Sequence, residues 1–279
     1  MNEGMHRVLL TGAAGGVAGR IRPLLRRLYP HLRLSDVKPV DELAANEEFV
    51  AGDLADFASV RAICAGVDGI VHLGGVSVES DWESILAGNI IGTRNLFEAA
   101  RLEGVRRVVF ASSNHVVGFY PRRRRIGADA PPRPDSRYGV SKAFGEALGA
   151  FYADKFGLGV LAIRIGNVDL QPIDERRLSI WLAPDDLVQL LRIGLEHPDL
   201  HYEIVYGVSD NAQSWWDNAA ANRLGYRPRA RAEDHRDAAL AAQARLAPDP
   251  VGDLFQGGGY VSAEFSGDPQ RLLAGGEKP

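Results

Sequence analysis

The sequence predicts an α/β protein whose core is a doubly wound parallel sheet, followed by a small C-terminal part. Three observations support this fold class. Short apolar runs alternate with helical patterns over the first 170 residues, a glycine-rich turn follows the first run, and polar side chains stand where several later runs end. Strands that are separated by helices at this rhythm form parallel sheets with helices on both faces, and ligands bind outside the carboxyl ends of such strands.

The first strand and the first helix are joined by a turn that is rich in glycine. The apolar run at 8–10 ends in residues 11–19, and a helical pattern follows as far as Leu28. In this setting Gly12 permits a tight turn, Gly15 lets the backbone approach a pyrophosphate, and a helix N-terminus faces the anion. The spacing Gly12-x-x-Gly15-x-x-Ala18 differs from the usual G-x-G-x-x-G. A tight turn that binds no ligand is therefore the alternative.

A carboxylate follows the second predicted strand, at 32–34. Asp36 stands 24 residues after Gly12, close to the spacing of the acid that binds an adenosine ribose. A carboxylate there accepts hydrogen bonds from ribose hydroxyls and repels a 2′-phosphate, which favours NAD over NADP. The alternative is an aspartate that caps a helix or stabilises a loop.

The alternation continues to residue 167. The predicted strands are 49–54, 69–75, 105–111 and 160–167, and the predicted helices are 59–65, 82–101 and 138–156. Because the carboxyl ends of parallel strands meet at one edge of a sheet, the residues at these ends are expected to converge. Besides the glycine turn and Asp36, they are Asp53, Gly74, Ser113 and Asn167.

A tyrosine and a lysine begin the predicted helix at 138–156. Tyr138 and Lys142 are four residues apart and therefore lie on one helix face. An ammonium beside a phenol favours the phenolate, so the pair could supply a general base near neutral pH. Lowering the phenol pKa by ~3 units requires ~4 kcal/mol, which demands a partly dry site. Alone, this spacing is equally typical of an amphipathic helix start.

Composition excludes several classes of protein. The net charge of −4 does not indicate the positive surface that would bind nucleic acid or an anionic membrane. Cys64 is the only cysteine, so no disulfide framework is predicted and a reducing, cytoplasmic compartment is expected. Because the seven histidines are scattered, no metal site is predicted either. The sequence has no apolar run near the ~20 residues that span a bilayer and no signal-peptide pattern. The four arginines at 122–125 are predicted to lie in a solvated loop.

The alternation weakens after residue 167. Helices are predicted at 184–195, 218–224 and 238–246, a strand at 202–208, and loops at 247–250 and in the glycine-rich stretch that follows. This segment is too short for a separate nucleotide pocket. The residues from about Gly275 are expected to be disordered.

The motifs of the first 170 residues resemble the extended short-chain dehydrogenase/reductase superfamily, whose fold is a Rossmann-type doubly wound sheet. They are Thr11-Gly12-x-x-Gly15, Asp53-Leu54, His72-Leu73-Gly74, Asn89, Ser112-Ser113 and Tyr138-x-x-x-Lys142. Residues 70–79, 88–92, 110–115, 178–181, 183–186 and 215–218 more specifically resemble the uronate dehydrogenase family.

The resemblance implies the oxidation of galacturonate or glucuronate at the anomeric carbon, with NAD, to an aldarolactone. Tyr138 would be the base, Lys142 its activator and a ligand of the nicotinamide ribose, and Ser113 would orient the sugar hydroxyl. The residues expected to bind NAD are Gly12, Ala14, Gly15, Gly16, Val17, Asp36, Asp53, Leu54, Leu73, Gly74, Gly75, Asn89, Tyr138 and Lys142. The residues expected to bind the uronic acid are Ser77, Ser113, Asn114, His115, Tyr138, Asn167, Arg176 and Tyr260.

Four of these substrate contacts need separate comment. His115 could shuttle a proton instead of hydrogen-bonding a sugar hydroxyl. Asn167 stands where the family commonly has a serine, and its longer amide could shift specificity. Arg176 offers a fork that matches a carboxylate, but it could instead form a surface pair with a neighbouring acid, and Arg177 competes for the same role. Tyr260 follows three glycines, from where it could close over the sugar.

Residues 1–170 are predicted to form the NAD-binding core with the catalytic helix, and residues 171–279 an extension that completes the sheet and the substrate site. A homo-oligomer is expected. Two other functions remain open at this point. One is an extended short-chain dehydrogenase or epimerase that acts on a nucleotide-linked sugar, and the other is a non-catalytic, NAD-sensing regulator.

Overall fold

One parallel sheet organises the part of the chain that the computed structural model describes, residues 5–275. The strands are β1 (Arg7–Thr11), β2 (His31–Ser35), β3 (Glu47–Phe49), β4 (Gly69–His72), β5 (Arg107–Ser113), β6 (Gly159–Ile165), β7 (Asn167–Val168), β8 (Trp181–Leu182) and β9 (Tyr202–Gly207). Seven of these described strands form the main sheet, in the order β3-β2-β1-β4-β5-β6-β9, and β7 pairs with β8 in a small second sheet. The order reverses between β1 and β4, which is where a doubly wound sheet binds its ligand.

Helices cover both faces of the main sheet. The α-helices of the described residues are α1 (Gly16–Leu28), α2 (Phe57–Cys64), α3 (Trp82–Ile85), α4 (Gly92–Leu102), α5 (Arg137–Phe156), α6 (Glu175–Ile180), α7 (Pro184–Glu196), α8 (Ala219–Arg223), α9 (Arg236–Gln243), α10 (Gly259–Ser262) and α11 (Pro269–Gly275). Leu25 of α1 and Leu191 of α7 belong to a hydrophobic core on one face, and Phe97 of α4 and Tyr152 of α5 to a core on the other. The predicted fold class is confirmed.

The helix that carries Tyr138 and Lys142 has clear ends. Ser136 caps α5, since its hydroxyl accepts a hydrogen bond from the N–H of Gly139 at 3.0 Å, and Gly157 ends the helix in the left-handed region with φ of 72°. Lys142 is buried where α5 packs on β5. The pair therefore begins a well-defined helix that lies against the sheet.

The predicted helix at 82–101 is present, with a π-helical segment, Leu86–Ile91, between α3 and α4. Two predicted strand boundaries were wrong. The third strand ends at Phe49, because only three residues of this edge strand pair with β2. The predicted strand at 160–167 is divided, since β6 ends at Ile165 and Asn167 pairs with Trp181 in the second sheet.

The C-terminal part joins the same sheet. β9 pairs with β6, and α7 packs against α1, β5 and β6. The helices α6, α10 and α11 were not predicted, because each is too short to show a periodic pattern. Residues 276–279 lie outside the described part of the chain, so the predicted disorder from about Gly275 stays a prediction there. Among residues 5–275, no helix is long and apolar enough to cross a membrane.

Candidate active site

A cavity of about 620 Å³ lies outside the carboxyl ends of the central strands. Of the predicted site residues, its walls contain Gly12, Gly15, Gly16, Val17, Asp36, Asp53, Leu54, Leu73, Gly74, Gly75, Ser77, Ser113, Asn114, His115, Tyr138, Lys142, Asn167, Arg176 and Tyr260. Ala14 and Asn89 are outside that lining. The fold therefore brings together residues that are as much as 248 positions apart in the sequence (Gly12 to Tyr260).

One half of the cavity is built from backbone. Gly12 has φ of +69°, and a Cβ there would lie 2.8 Å from the backbone N of Gly74 and the backbone C of Leu73. Only glycine fits both the conformation and the gap. α1 begins at Gly16, and no side chain of a described residue caps it at Gly15. Its first N–H groups are thus open to an anion such as a pyrophosphate.

Asp36 stands directly after β2, at the edge of this half. Its carboxylate accepts hydrogen bonds of 3.1 Å from the N–H groups of Ala14 and Lys38. Ala14 therefore holds the Asp36 carboxylate in place. Asp36 lines the cavity, and Ala14 does not. The cradle of glycines, the open helix N-terminus and the carboxylate at this position fit NAD.

Asn89 lies behind the cavity wall, in the π-helical segment. Its Oδ1 accepts from the N–H of Val76 at 2.7 Å, and its Nδ2 donates to the carbonyl of Val76 at 3.0 Å and to Ser141 Oγ at 2.9 Å. These bonds tie the Gly75–Val76 loop to α5, and the predicted contact between Asn89 and the cofactor stays a prediction. A π-helical turn at such a position is typical of functional sites.

Tyr138, Lys142 and Ser113 meet at the centre of the cavity. Lys142 Nζ lies 5.5 Å from the ring centroid of Tyr138 and 5.1 Å from that of Phe110. Burial raises the pKa of Tyr138 to about 12, and the Ser113 side chain lowers it by a smaller amount. Burial also lowers the pKa of Lys142 to about 8.

The direction of the Tyr138 pKa differs from the sequence-based expectation. Burial of the phenol disfavours the phenolate, and the Lys142 ammonium, with Nζ 5.5 Å from the ring centroid, does not offset this effect. Deprotonation of Tyr138 near pH 7 therefore requires further positive charge at the phenol.

Glu79 holds the start of α5 and was missed as a functional residue. Its Oε2 accepts from the N–H of Tyr138 at 3.0 Å, and its Oε1 accepts from Arg137 Nη1 at 2.7 Å. A carboxylate at a helix N-terminus is favoured by the helix dipole. Its signal in the sequence was its place in residues 70–79, one of the stretches that resemble the uronate dehydrogenase family, two residues after Ser77.

The other half of the cavity is built from side chains. His115 stacks on Tyr260 with ring centroids 3.8 Å apart, and its edge faces Tyr138 at 5.9 Å. Its Nδ1 lies 2.8 Å from Oδ2 of Asp135, a residue that was not predicted to belong to the site. Tyr260 thus covers His115 from the C-terminal part of the chain.

Arg176 and Arg177 have different surroundings. Arg177 forms an ion pair with Asp174, the residue that caps α6. Arg176 forms no ion pair with a described residue, and its Nε donates to the carbonyl of Gln256 at 2.9 Å. Burial and the charge of Arg177 lower the pKa of Arg176 to about 10. Of the two, Arg176 is the cation that lacks a carboxylate.

Asn114 and Asn167 complete this half. With the amide of Asn114 turned so that Nδ2 donates to the carbonyl of Ile165, its Oδ1 accepts from Arg176 Nη2, both at 3.1 Å. Asn167 Oδ1 is buried and has no hydrogen-bond partner among the described residues. A buried acceptor without a partner is costly, so it is suited to a ligand hydroxyl.

Further lining residues were outside the predicted set of binding residues, although Ala18, Ser112 and Arg177 belong to motifs or alternatives that the sequence analysis named. They are Ala18, Val37, Gly52, Val76, Gly88, Ala111, Ser112, Ile165, Gly166, Val168 and Arg177. Most of them are sequence neighbours of a predicted residue. A prediction that included the residues on either side of each strand end would therefore have contained them. Asp135 and Gln256 carried no such signal. Within residues 5–275, no cluster of three or more His, Cys, Asp or Glu side chains could hold a metal ion.

The fold and the cavity together define an NAD-dependent oxidoreductase. Residues 8–170 match the family model described as "NAD dependent epimerase/dehydratase family". Uronate dehydrogenase from Pseudomonas putida is 48% identical over 92% of this chain and 96% of its own length. The chain therefore belongs to the uronate dehydrogenase family, within the larger NAD dependent epimerase/dehydratase family.

Solved structures agree with this assignment. Glucuronic acid dehydrogenase from Chromohalobacter salexigens is 45% identical and superposes with a TM-score of 0.90 over 95% of this chain and 99% of its own. A mutant uronate dehydrogenase from Agrobacterium tumefaciens, complexed with NAD, is 47% identical with a TM-score of 0.88, over 92% of this chain and 97% of its own.

Proposed function

We propose that this protein oxidises a uronic acid, galacturonate or glucuronate, at the anomeric carbon and produces an aldarolactone, with NAD as the oxidant. The observation that carries the substrate class is Arg176, a guanidinium that lines the cavity without an ion-pair partner among the described residues. A partly buried guanidinium that faces the cavity in this way favours an anionic ligand, and its fork matches a carboxylate. A neutral sugar would leave it unpaired.

The cofactor half of the cavity holds NAD through the glycine turn, the start of α1 and Asp36. When bound, NAD supplies a positively charged nicotinamide that accepts a hydride from the substrate carbon. Lys142, the only lysine that lines the described cavity, is placed to bind the adjoining ribose.

The reacting centre lies between Tyr138 and Ser113. Ser113 hydrogen-bonds the anomeric hydroxyl and orients it toward Tyr138. Tyr138 accepts the proton of that hydroxyl as general base, which requires the phenolate. The nearby Lys142 ammonium and the charge of the bound cofactor both favour this form over the neutral phenol.

The substrate half holds the rest of the sugar. Arg176 binds the carboxylate, while Ser77, Asn114, His115 and Asn167 offer hydrogen-bonding groups to the hydroxyls. Tyr260 closes over the ring from the C-terminal side. Residues 171–279 thereby complete the substrate site that residues 1–170 begin.

The test is the absorbance of NADH when the purified protein is mixed with NAD and one of several sugars. Galacturonate or glucuronate is expected to give a signal at least 100-fold larger than galactose or glucose. Equal signals with neutral aldoses would argue against carboxylate recognition. A signal with UDP-glucose or UDP-glucuronate alone would instead indicate a dehydrogenase of nucleotide-linked sugars. NAD binding without turnover of any sugar would indicate a regulator.

A further inference from the structure

The loop before α5 buries a carboxylate that the proposed reaction does not use. The side chain of Asp135 is fully buried beside His115. Its Oδ2 lies 2.8 Å from His115 Nδ1, and its Oδ1 accepts from Ser136 Oγ at 2.8 Å. Removing a carboxylate from water is costly unless its oxygens are hydrogen-bonded, and here both are.

We propose that Asp135 is a positioning residue: it holds a proton on Nδ1 of His115, so that Nε2 of the neutral imidazole accepts a hydrogen bond from a sugar hydroxyl. The second part of this inference rests on the proposed uronate dehydrogenase function. The first part, the tautomer, depends only on the contacts of the two side chains.

The carboxylate selects the tautomer. An ionised carboxylate only accepts hydrogen bonds, so the imidazole nitrogen that faces it must carry the proton. In a neutral imidazole the other nitrogen then has the lone pair. His115 Nε2 makes no hydrogen bond to any described residue, and His115 lines the cavity. A free acceptor therefore remains for the ligand.

The imidazole ring is also fixed in orientation. Tyr260 stacks on it at a centroid distance of 3.8 Å with 23° between the planes, and Tyr138 packs against its edge. The backbone N–H of His115 donates to Ser113 Oγ at 3.1 Å. These contacts fix the plane of the ring, and the 2.8 Å contact between Nδ1 and Asp135 fixes which nitrogen faces the carboxylate. Nε2 is therefore the nitrogen left to meet a ligand.

A segment of the C-terminal part of the chain packs closely against the Asp135 carboxylate. A Cβ at Gly118 or at Gly257 would collide with Asp135 Oδ2, and the N–H of Gly257 donates to the carbonyl of Gly118 at 2.9 Å. The charge of Asp135 also acts on Arg176, whose pKa it raises against the effect of burial. Asp135 therefore lies between the histidine, the arginine and the segment that carries Tyr260.

The tautomer is measured directly by two-bond ¹H–¹⁵N correlation spectra of the full chain labelled with ¹⁵N-histidine, with His115→Gln to assign the signal. We expect the native His115 to show a protonated Nδ1 and a bare Nε2 from pH 7 to 8. A proton on Nε2, either in the other tautomer or in the imidazolium form, would overturn the proposal. This readout needs no turnover, so it stands even if the proposed function fails.

Kinetics then test the consequence in Asp135→Ala and Asp135→Asn. In each variant that loses the Nδ1-protonated form, we expect KM for the uronate to rise about 10- to 100-fold. The values of kcat and of KM for NAD should stay within about threefold of those of the native protein. Loss of the tautomer with an unchanged KM would contradict the proposal, and so would retention of the tautomer in both variants. Thermal melting and NAD binding identify any variant that does not fold, and the other variant then decides.

The chain offers a matched control. Asp154 and His201 form a similar pair, with Nε2 and Oδ1 2.9 Å apart, but their side chains are 74% and 60% exposed. Asp154→Ala removes the carboxylate of an Asp–His pair without touching the cavity. We expect this variant to leave KM for the uronate within about twofold of native. A rise as large as that of Asp135→Ala would show that the effect is not specific to the buried pair.

Discussion

The two halves of the cavity are built from different parts of the protein. The cofactor half consists of the glycine turn, the N-terminus of α1 and the ends of β1, β2 and β4, so that mostly backbone faces the ligand. The substrate half consists of side chains such as His115, Arg176 and Tyr260, which come from loops and short helices. The comparison teaches that the cofactor half relies mainly on backbone conformation, with the Asp36 carboxylate and Lys142 added, whereas the substrate half relies on side chains that distant segments hold in place.

Tyr138 stands at the border of the two halves, and its removal is expected to have the largest effect. Tyr138→Phe removes the phenol oxygen and keeps the ring that packs at 5.9 Å against His115. Turnover of the uronate should fall by about 10³- to 10⁴-fold, because no other described side chain replaces the base. The Kd for NAD, measured by calorimetry, should change by less than about threefold. Retained turnover would eliminate Tyr138 as the base.

Arg176 tests the substrate half alone. Arg176→Ala should lower kcat/KM for the uronate by about 10²- to 10³-fold, since it leaves the substrate carboxylate without its partner. The activity on a neutral aldose should change far less. Arg177→Ala is the matched control, because Arg177 already pairs with Asp174. Equal losses on charged and neutral sugars, or a larger loss in Arg177→Ala, would contradict the assignment of the carboxylate to Arg176.

The same division explains what could be predicted from the sequence. Gly12, Asp36 and Gly74 stand at strand ends in a repeating pattern, and local spacing places them. Asp135 and Gln256 lie in loops, and their roles depend on contacts with Gly257, Arg176 and Trp216 that no local pattern encodes. The raised pKa of Tyr138 was not predictable either, because burial is a property of the packed site.

A substitution of Gly12 tests the cofactor half of the cavity. Gly12→Ala places a Cβ at a positive φ and 2.8 Å from the backbone of Gly74. The strain and the collision should together cost about 2–4 kcal/mol in the free energy of unfolding, measured in urea, and weaken NAD binding. Gly19→Ala is the control, because a Cβ there meets nothing within 4 Å, and it should be neutral or stabilising. Equal effects of the two substitutions would contradict the role of close backbone approach.

The buried ammonium of Lys142 is expected to oppose the stability of the fold. Burial lowers its pKa to about 8, so between pH 8 and its ordinary value near 10.5 the unfolded chain binds the proton more strongly than the folded protein. Below pH 8 both states are protonated, and the folded state carries the full cost of the buried ammonium, at most about 3 kcal/mol. As the pH rises from 8 toward 10.5, the folded state loses its charge and this cost disappears.

Lys142→Met should therefore be inactive yet more stable than the native protein at pH 7, by up to about 3 kcal/mol in urea unfolding. The difference should shrink as the pH is raised to 10, because only the native protein recovers stability. Lys155→Met, an exposed position on the same helix, should change the free energy by less than about 0.5 kcal/mol. A Lys142→Met variant that is less stable at pH 7 would mean that the ammonium is held by favourable contacts. The Lys142 side chain, at the border between the two halves, would then stabilise the folded protein and not oppose its stability.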